Sequence, residues 1–118
     1  MTTENFLTQL RNHLDKVSFD DVIQYIDKQY QYIPSRFTNG IDNDVIINEA
    51  GKNEGSCKIF AFGLMQGLSE TETLACFGKY YRDDVLNDPT GTNHLNIRTF
   101  MKHGWQGIHF DSDALMLK

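Results

Sequence analysis

The feature that most constrains the fold is the recurrence of apolar residues every three or four positions, each stretch preceded by a residue that can begin a helix. This spacing places the apolar side chains on one face of a helix. A Ser, Thr or Asn before the stretch offers an oxygen to the unpaired N–H groups of the first turn. The pattern predicts five helices, beginning at Thr3, Ser18, Ser56, Ser69 and Asn93. Their expected ends are Val17, Pro34, Gly67, Tyr81 and Gly104.

Two further sequence features predict specific local structure. Ser69 is followed three residues later by Glu72, the spacing of a capping box in which each side chain accepts from the other residue's N–H. Trp105 lies between two glycines and is expected to anchor in the core, with its indole N–H bonded to a backbone carbonyl.

Outside the helices, residues 35–48 and 107–117 are rich in residues that favour strands. Two short runs in the first segment flank Asn39-Gly40, which is a turn signal. In the second segment, residues 107–110 alternate, and residues 114–117 are expected to pair back on them. The sequence therefore predicts a single α+β domain over residues 1–118, with about five helices and a small antiparallel sheet.

Composition and charge exclude several classes of protein. A formal net charge of −5, with scattered basic residues, argues against binding to nucleic acid or to an anionic membrane. The first twenty residues contain no signal-peptide pattern, and no apolar run approaches the ~20 residues of a membrane span. Two cysteines are too few for a secreted disulfide scaffold. These features predict a cytoplasmic protein with reduced thiols.

Cys57 is the first candidate for chemistry. It follows Gly55-Ser56 near the start of a predicted helix, where the backbone dipole favours a thiolate. His94, His103 or His109 could then act as the base. The alternative is that Cys57 only packs, since it belongs to the same apolar stripe as Phe60, Ala61 and Leu64.

The polar loop at residues 48–57 is the second candidate. Its hydrogen-bonding side chains could bind a ligand, while its two glycines allow close approach of the backbone. Glu49 and Glu54 could also act as an acid and a base. The alternative is that these groups satisfy the backbone of the loop and cap the next helix. The candidate ligand-binding residues here are Asn48, Glu49, Asn53, Glu54 and Ser56.

Metal and cofactor sites receive little support from the sequence. His94, His103 and His109 with Glu49 or Glu54 are suitable ligand types, but no pair has a recognised ligand spacing. Glycine-rich nucleotide loops and the nucleophile elbow of serine hydrolases are absent. We therefore expect no metal and no cofactor.

Several motifs resemble those of the HopJ type III effector family. They are Phe37-Thr38-Asn39-Gly40, the polar run from Asn48 to Lys58, Asn93-His94 with Asn96-Ile97-Arg98, and Gly104-Trp105 with Gly107-Ile108. The resemblance covers most of the chain from about Tyr30 onward. It implies a small bacterial α+β domain and delivery into a host cell through a type III secretion needle. It implies no particular activity and no catalytic residues.

The sequence thus favours a binding or interaction domain whose surface combines the 48–57 loop with the start of the fifth helix. In that interpretation Arg98 offers a guanidinium fork to a carboxylate or phosphate, and His94 offers a directional hydrogen bond. The ligand would be a small molecule or a host or bacterial protein. The alternative is a small hydrolase that uses Cys57 with His94, or Glu49 with Glu54. A third interpretation is a structural or regulatory partner that binds no ligand.

Overall fold

A computed structural model describes residues 2–118 and confirms the α+β class. Most of the helix positions agree with the sequence pattern, with boundaries that differ by a few residues. Within the described range the α-helices are α1 (Thr3–Asn12), α2 (Phe19–Gln29), α3 (Glu54–Gln66), α4 (Glu70–Ala75) and α5 (Leu95–His103). None of the helices in this range has the length and apolar character needed to cross a membrane.

The capping signals act largely as expected. Ser69 and Glu72 form the predicted capping box, and the Glu72 carboxylate also accepts from Arg11 Nε at 2.9 Å. Burial alone would raise the pKa of Glu72, but the Ser69 N–H and the Arg11 guanidinium lower it overall. Ser18 caps α2, whereas α1 is capped by Thr2 and not by Thr3 as the sequence suggested.

Five short strands form two antiparallel sheets. In the larger sheet, β2 (Phe37–Asn39) lies between β3 (Ile46–Asn48) and β4 (His109–Phe110). In the smaller one, β1 (Tyr30–Tyr32) pairs with β5 (Leu115–Leu117). The strands predicted within residues 35–48 are confirmed, and they pair with each other antiparallel. Asn39, predicted to lie in the turn, is the last residue of β2.

Two predictions, one about strand pairing and one about the end of a helix, were wrong. Residues 107–110 and 114–117 do not pair with each other, because β4 pairs with β2 and β5 pairs with β1. The second helix ends at Gln29, and Tyr30–Tyr32 form a strand. The apolar, polar, apolar order of these three residues fits a strand as well as the end of a helix, and the distant strand β5 decides between the two.

The fourth helix also ends earlier than predicted, at Ala75. The chain turns at Gly78, whose φ is +58°, and a Cβ at this position would lie 2.7 Å from the backbone N of Phe19. Residues Tyr80–Val85 then form a π-helical segment. Such wide turns are rare in proteins and are frequent at functional sites.

Helix α3 lies at the centre of the core, with Ile59, Phe60 and Phe62 fully buried. Trp105 packs against it at Gly63, where a Cβ would lie 2.8 Å from the indole ring. Its Nε1–H donates to the Leu68 carbonyl at 2.9 Å, which confirms the predicted anchor. Gly67 and Gly104 end α3 and α5 as expected. The core therefore fixes the position of α3, and with it the start of that helix.

Candidate functional site

The N-termini of α3 and α5 meet at one open cleft of about 540 Å³. The cleft brings together two stretches that are some forty residues apart in sequence, the loop before α3 and the turn before α5. Of the candidate residues, Asn53, Ser56 and His94 line it. The other lining residues are Phe19, Ile46, Gly55, Phe77, Tyr80, Leu95, Asn96 and Ile97.

Both helices begin at a residue in the left-handed backbone conformation. Asn53 precedes α3 with φ +51°, and His94 precedes α5 with φ +52°. Neither residue caps its helix with a side-chain hydrogen bond. Because the first N–H groups of a helix have no intrahelical acceptor, both termini carry donors and partial positive charge. Residues of both first turns, Gly55 and Ser56 in α3 and Leu95 and Asn96 in α5, are among those that line the cleft.

Aromatic rings form one wall of the cleft. Phe19 and Tyr80 pack edge to face at 5.1 Å, and the Tyr80 ring lies 5.3 Å from the His94 imidazole. The phenyl ring of Phe19 also covers Gly55, where a Cβ would lie 2.8 Å from it. His94 Nε2 lies 3.0 Å from the Asp84 carboxylate, which belongs to the π-helical segment. The imidazole is therefore oriented by Asp84 and packed against Tyr80.

Beneath the cleft, four asparagines form a hydrogen-bonded cluster. Asn96 Nδ2 donates to Asn48 Oδ1 at 2.9 Å, and Asn48 Nδ2 donates to Asn96 Oδ1 at 3.1 Å. Asn39 Nδ2 donates to the Asn96 carbonyl, and Asn53 Nδ2 donates to Asn48 Oδ1. The cluster ties β2 and β3 to the first turn of α5.

This cluster corrects the role that the sequence suggested for Asn48. Only 1% of Asn48 is exposed, and its amide is fully engaged with other asparagines. The side chain of Asn53 is likewise directed at Asn48. For Asn48 and Asn53 the structure agrees with the second interpretation of the loop, in which its polar side chains bond within the protein and not to a ligand. The backbone and hydroxyl of Ser56 and the ring of His94 remain at the cleft.

The two glutamates of the loop do not line the cleft. Glu49 is exposed and accepts from Arg36 Nε at 3.0 Å, and the same guanidinium pairs with Asp111. Glu54 is the first residue of α3 and is exposed. The structure therefore does not direct them at a common substrate position as an acid–base pair would require.

Cys57 lies in the core, with 1% of its surface exposed. Its Sγ is 3.8 Å from the Ser35 carbonyl, and burial raises the pKa of the thiol. Within residues 2–118, no histidine hydrogen-bonds to it, and His94 is paired with Asp84 instead. The second cysteine, Cys76, is fully buried, and burial raises its pKa to about 12. The structure gives Cys57 the surroundings of a packed thiol.

Arg98 lies outside the cleft, in a neighbouring groove. Its guanidinium donates to the Asp88 carbonyl and to the carbonyl and side-chain oxygens of Asn93. The fork expected to bind a ligand therefore holds residues 88–93 against α5. His103 and His109 also lie elsewhere, and in the described part of the chain no group of three or more His, Cys, Asp or Glu could hold a metal ion.

Sequence reasoning missed the aromatic wall and its support. Phe19 belongs to the apolar stripe predicted for the second helix, and Tyr80 was not singled out. Asp84 gave no signal because the π-helical segment was not predicted. Asn96 did carry a signal, since it lies in one of the motifs shared with the HopJ family. Nothing in the sequence distinguished it as buried.

The fold and the cleft together define a small single-domain α+β protein. A family model for "HopJ type III effector protein" matches residues 3–115, so the chain belongs to the HopJ family. No curated protein sequence matches this chain.

Among solved structures, the crystal structure of "unknown function protein VPA0580" is similar, with 46% sequence identity and a TM-score of 0.94. The match covers 100% of this chain and 95% of that one. At this identity the two proteins share the fold over its whole length.

The asparagine cluster predicts a large effect of one substitution. Asn96→Ala removes the acceptor of the buried Asn48 Nδ2 and leaves that donor unpaired, which costs about 1–3 kcal/mol. The free energy of unfolding, measured with urea, should fall by about this amount. Asn87→Ala, at an exposed position, is the control and should change it by less than about 0.5 kcal/mol. Equal effects of the two substitutions would contradict the role of the cluster.

The burial of Cys57 predicts slow alkylation. In a Cys76→Ala variant, Cys57 should react with iodoacetamide at pH 7 at least about tenfold more slowly than it does in the urea-unfolded chain, because the folded site excludes the reagent and raises the pKa of the thiol. Mass spectrometry of the alkylated protein measures both rates. A reaction at pH 6 that is faster than that of free cysteine would restore the nucleophile hypothesis.

Proposed function

We propose that this protein is a ligand-binding domain, and that its site is the cleft between the N-termini of α3 and α5. The observation that carries the proposal is the coincidence of three backbone irregularities at this one place. Asn53 and His94 have positive φ, and Tyr80 begins the π-helical segment. Each left-handed residue costs on the order of 1–3 kcal/mol, and such strain concentrates at functional sites.

The chemistry of the cleft supports a particular class of ligand. The helix N-termini, the Ser56 hydroxyl and the His94 imidazole offer hydrogen-bond donors on one side. Phe19, Phe77 and Tyr80 offer an apolar surface on the other. A volume of about 540 Å³ is within the range of small-molecule pockets, roughly 300–1,000 Å³. We propose a small organic acid, with a carboxylate or phosphate at the helix ends and its apolar part against the rings.

Binding is favoured over catalysis by the positions of the reactive groups. A hydrolase that uses Cys57 would need a histidine beside the thiol, and one that uses Glu49 and Glu54 would need both carboxylates at the cleft. Neither arrangement is found among the described residues, so these groups give no support to an enzyme. His94 paired with Asp84 can still orient a ligand, because the carboxylate fixes the direction of the ring.

The proposal predicts stabilisation by organic acids. In a thermal-unfolding screen of aliphatic and aromatic carboxylates and phosphates, at least one compound should raise the Tm. At 100 times its Kd a ligand adds ~2.7 kcal/mol, or roughly 10 °C for a domain of this size. The corresponding amides should have a smaller effect, since they lack the negative charge that the helix N-termini favour.

A matched pair of variants tests the location. Ser56→Leu places an apolar side chain in the cleft and should abolish the stabilisation, whereas Thr71→Leu, on the exposed face of α4, should leave it unchanged. Titration calorimetry with the best compound measures both affinities. If no acid in the screen binds, or if Ser56→Leu binds as well as the unaltered protein, the cleft is not the site.

We also propose that the protein is made in the bacterial cytoplasm and delivered into a host cell by type III secretion. The description of its family as type III effectors supports this. Both cysteines are free, so no disulfide closes a loop that would have to pass through a narrow channel.

Delivery predicts needle-dependent export. A reporter enzyme that is active only in host cytoplasm, fused after the full chain, should give signal from bacteria with a working needle and none from bacteria whose needle lacks its ATPase. A fusion that omits residues 1–30 tests whether the export signal lies there. Fusion protein retained in the bacteria of both strains, with no reporter signal from host cells, would count against delivery.

A further inference from the structure

His94 lies at the cleft with one ring nitrogen engaged by the protein. Its Nε2 is 3.0 Å from the Asp84 carboxylate, which belongs to the π-helical segment and does not line the cleft. The imidazole packs against Tyr80, with the ring centroids 5.3 Å apart. Its other nitrogen, Nδ1, has no hydrogen-bond partner among residues 2–118. Nδ1 is therefore the nitrogen that a ligand in the cleft can reach.

The position of the hydrogen on the neutral ring follows from Asp84. An ionised carboxylate only accepts hydrogen bonds, so the nitrogen that faces it, Nε2, carries the hydrogen. A neutral imidazole has a single N–H, and Nδ1 then presents a lone pair. Only the charged imidazolium donates from both nitrogens. The ring can therefore donate to a ligand only after it takes up a second proton.

A carboxylate bound at the N-terminus of α5 is a neighbour of this imidazole. The first N–H groups of the helix belong to Leu95 and Asn96, and His94 directly precedes them. All three residues line the cleft. An anion held by these N–H groups would be repelled by the Nδ1 lone pair of the neutral ring. From the imidazolium it would accept a charge-assisted hydrogen bond instead.

We propose that an organic acid binds in this cleft together with one proton from solvent, which His94 takes up at Nδ1. Proton uptake rests on the proposed function, because it needs an acid in the cleft, and it adds the regulation of that site. In the complex the imidazolium lies between two carboxylates, donating Nε2–H to Asp84 and Nδ1–H to the acid. An imidazole ordinarily exchanges this proton between about pH 5 and pH 8.

The direction of the pH dependence follows from linkage. Because the bound acid favours the charged ring, acid binding and proton binding strengthen each other. At low pH the ring is already charged in the free protein, and the affinity for the acid is highest. As the pH rises, the free protein loses this charge, and the affinity falls until it reaches the lower value of the neutral ring.

Other charged groups around the cleft do not replace His94 in this role. Asp84 is the one carboxylate within 4.0 Å of the imidazole in the described part of the chain. Among the described residues, no second histidine and no charged side chain other than that of His94 lines the cleft. Carboxylates ordinarily titrate near pH 4, and lysine and arginine above about pH 10. The charged groups on the neighbouring elements are Asp20, Glu54, Lys79, Arg82, Asp83 and Arg98.

Calorimetry with named carboxylates tests the proton uptake. Benzoate, phenylacetate and phenylpropanoate hold a carboxylate at increasing distance from a ring and stay ionised above about pH 6. The tightest binder is titrated into the full chain at about pH 7 in PIPES, HEPES and Tris, which differ in heat of ionisation. The apparent enthalpy should rise with that heat, with a slope of about 0.3–1 proton taken up per acid. The affinity should fall at least about fivefold between about pH 6 and pH 8.5.

Three variants locate the proton. His94→Asn removes the titrating ring and keeps the left-handed backbone, which asparagine tolerates, and should reduce the slope to zero and flatten the pH profile. His109→Asn, at an exposed position on β4, is the control and should retain both. Asp84→Asn keeps an acceptor without its charge, so the loss of affinity should move to lower pH. Thermal unfolding without acid checks that each variant is folded.

Two results would overturn the proton linkage and leave the cleft as a binding site. One is a slope of zero for the unaltered chain with an acid that Ser56→Leu no longer binds. The other is a slope that His94→Asn retains, because the proton then goes to another group. If none of the three acids binds, the best carboxylate of the thermal-unfolding screen takes their place. If that screen finds no acid, the proposed function and the proton linkage fall together.

Discussion

The reciprocal hydrogen bonds between Asn48 and Asn96 join the last residue of β3 to the first turn of α5. They act together with the aromatic packing of Phe100 in α5 on Phe60 in α3. Both side chains are buried, so each amide group that lost a partner would face no water. Asn39 extends the cluster to β2, and its Oδ1 has no partner among the described residues. The cluster therefore fixes the relative positions of β2, β3 and α5, although one of its buried oxygens has no hydrogen-bond partner among the described residues.

The hydrogen bonds of the asparagine cluster determine where the N-termini of α3 and α5 lie relative to each other. The core fixes α3 through Phe60 and Phe62, and the asparagine cluster then fixes α5 relative to the loop that precedes α3. Two like ends of helix dipoles repel each other, since both carry positive partial charge. They stay close because Asp84 lies beside His94 and because the buried asparagines link α5 to the loop before α3. A negative group between them would relieve the repulsion, which is the physical reason to expect an acid in the cleft.

Local signals in the sequence predicted local structure well. The Ser69–Glu72 box, the glycines at positions 67 and 104 and the anchor at Trp105 depend on neighbouring residues or on one backbone contact. Strand pairing could not be predicted in the same way, because β1 becomes a strand through β5 at the far end of the chain. The candidate site shows the same division. The sequence indicated the polar loop before α3, but it could not predict the burial of Asn48 and Cys57, because that burial depends on elements distant in the chain.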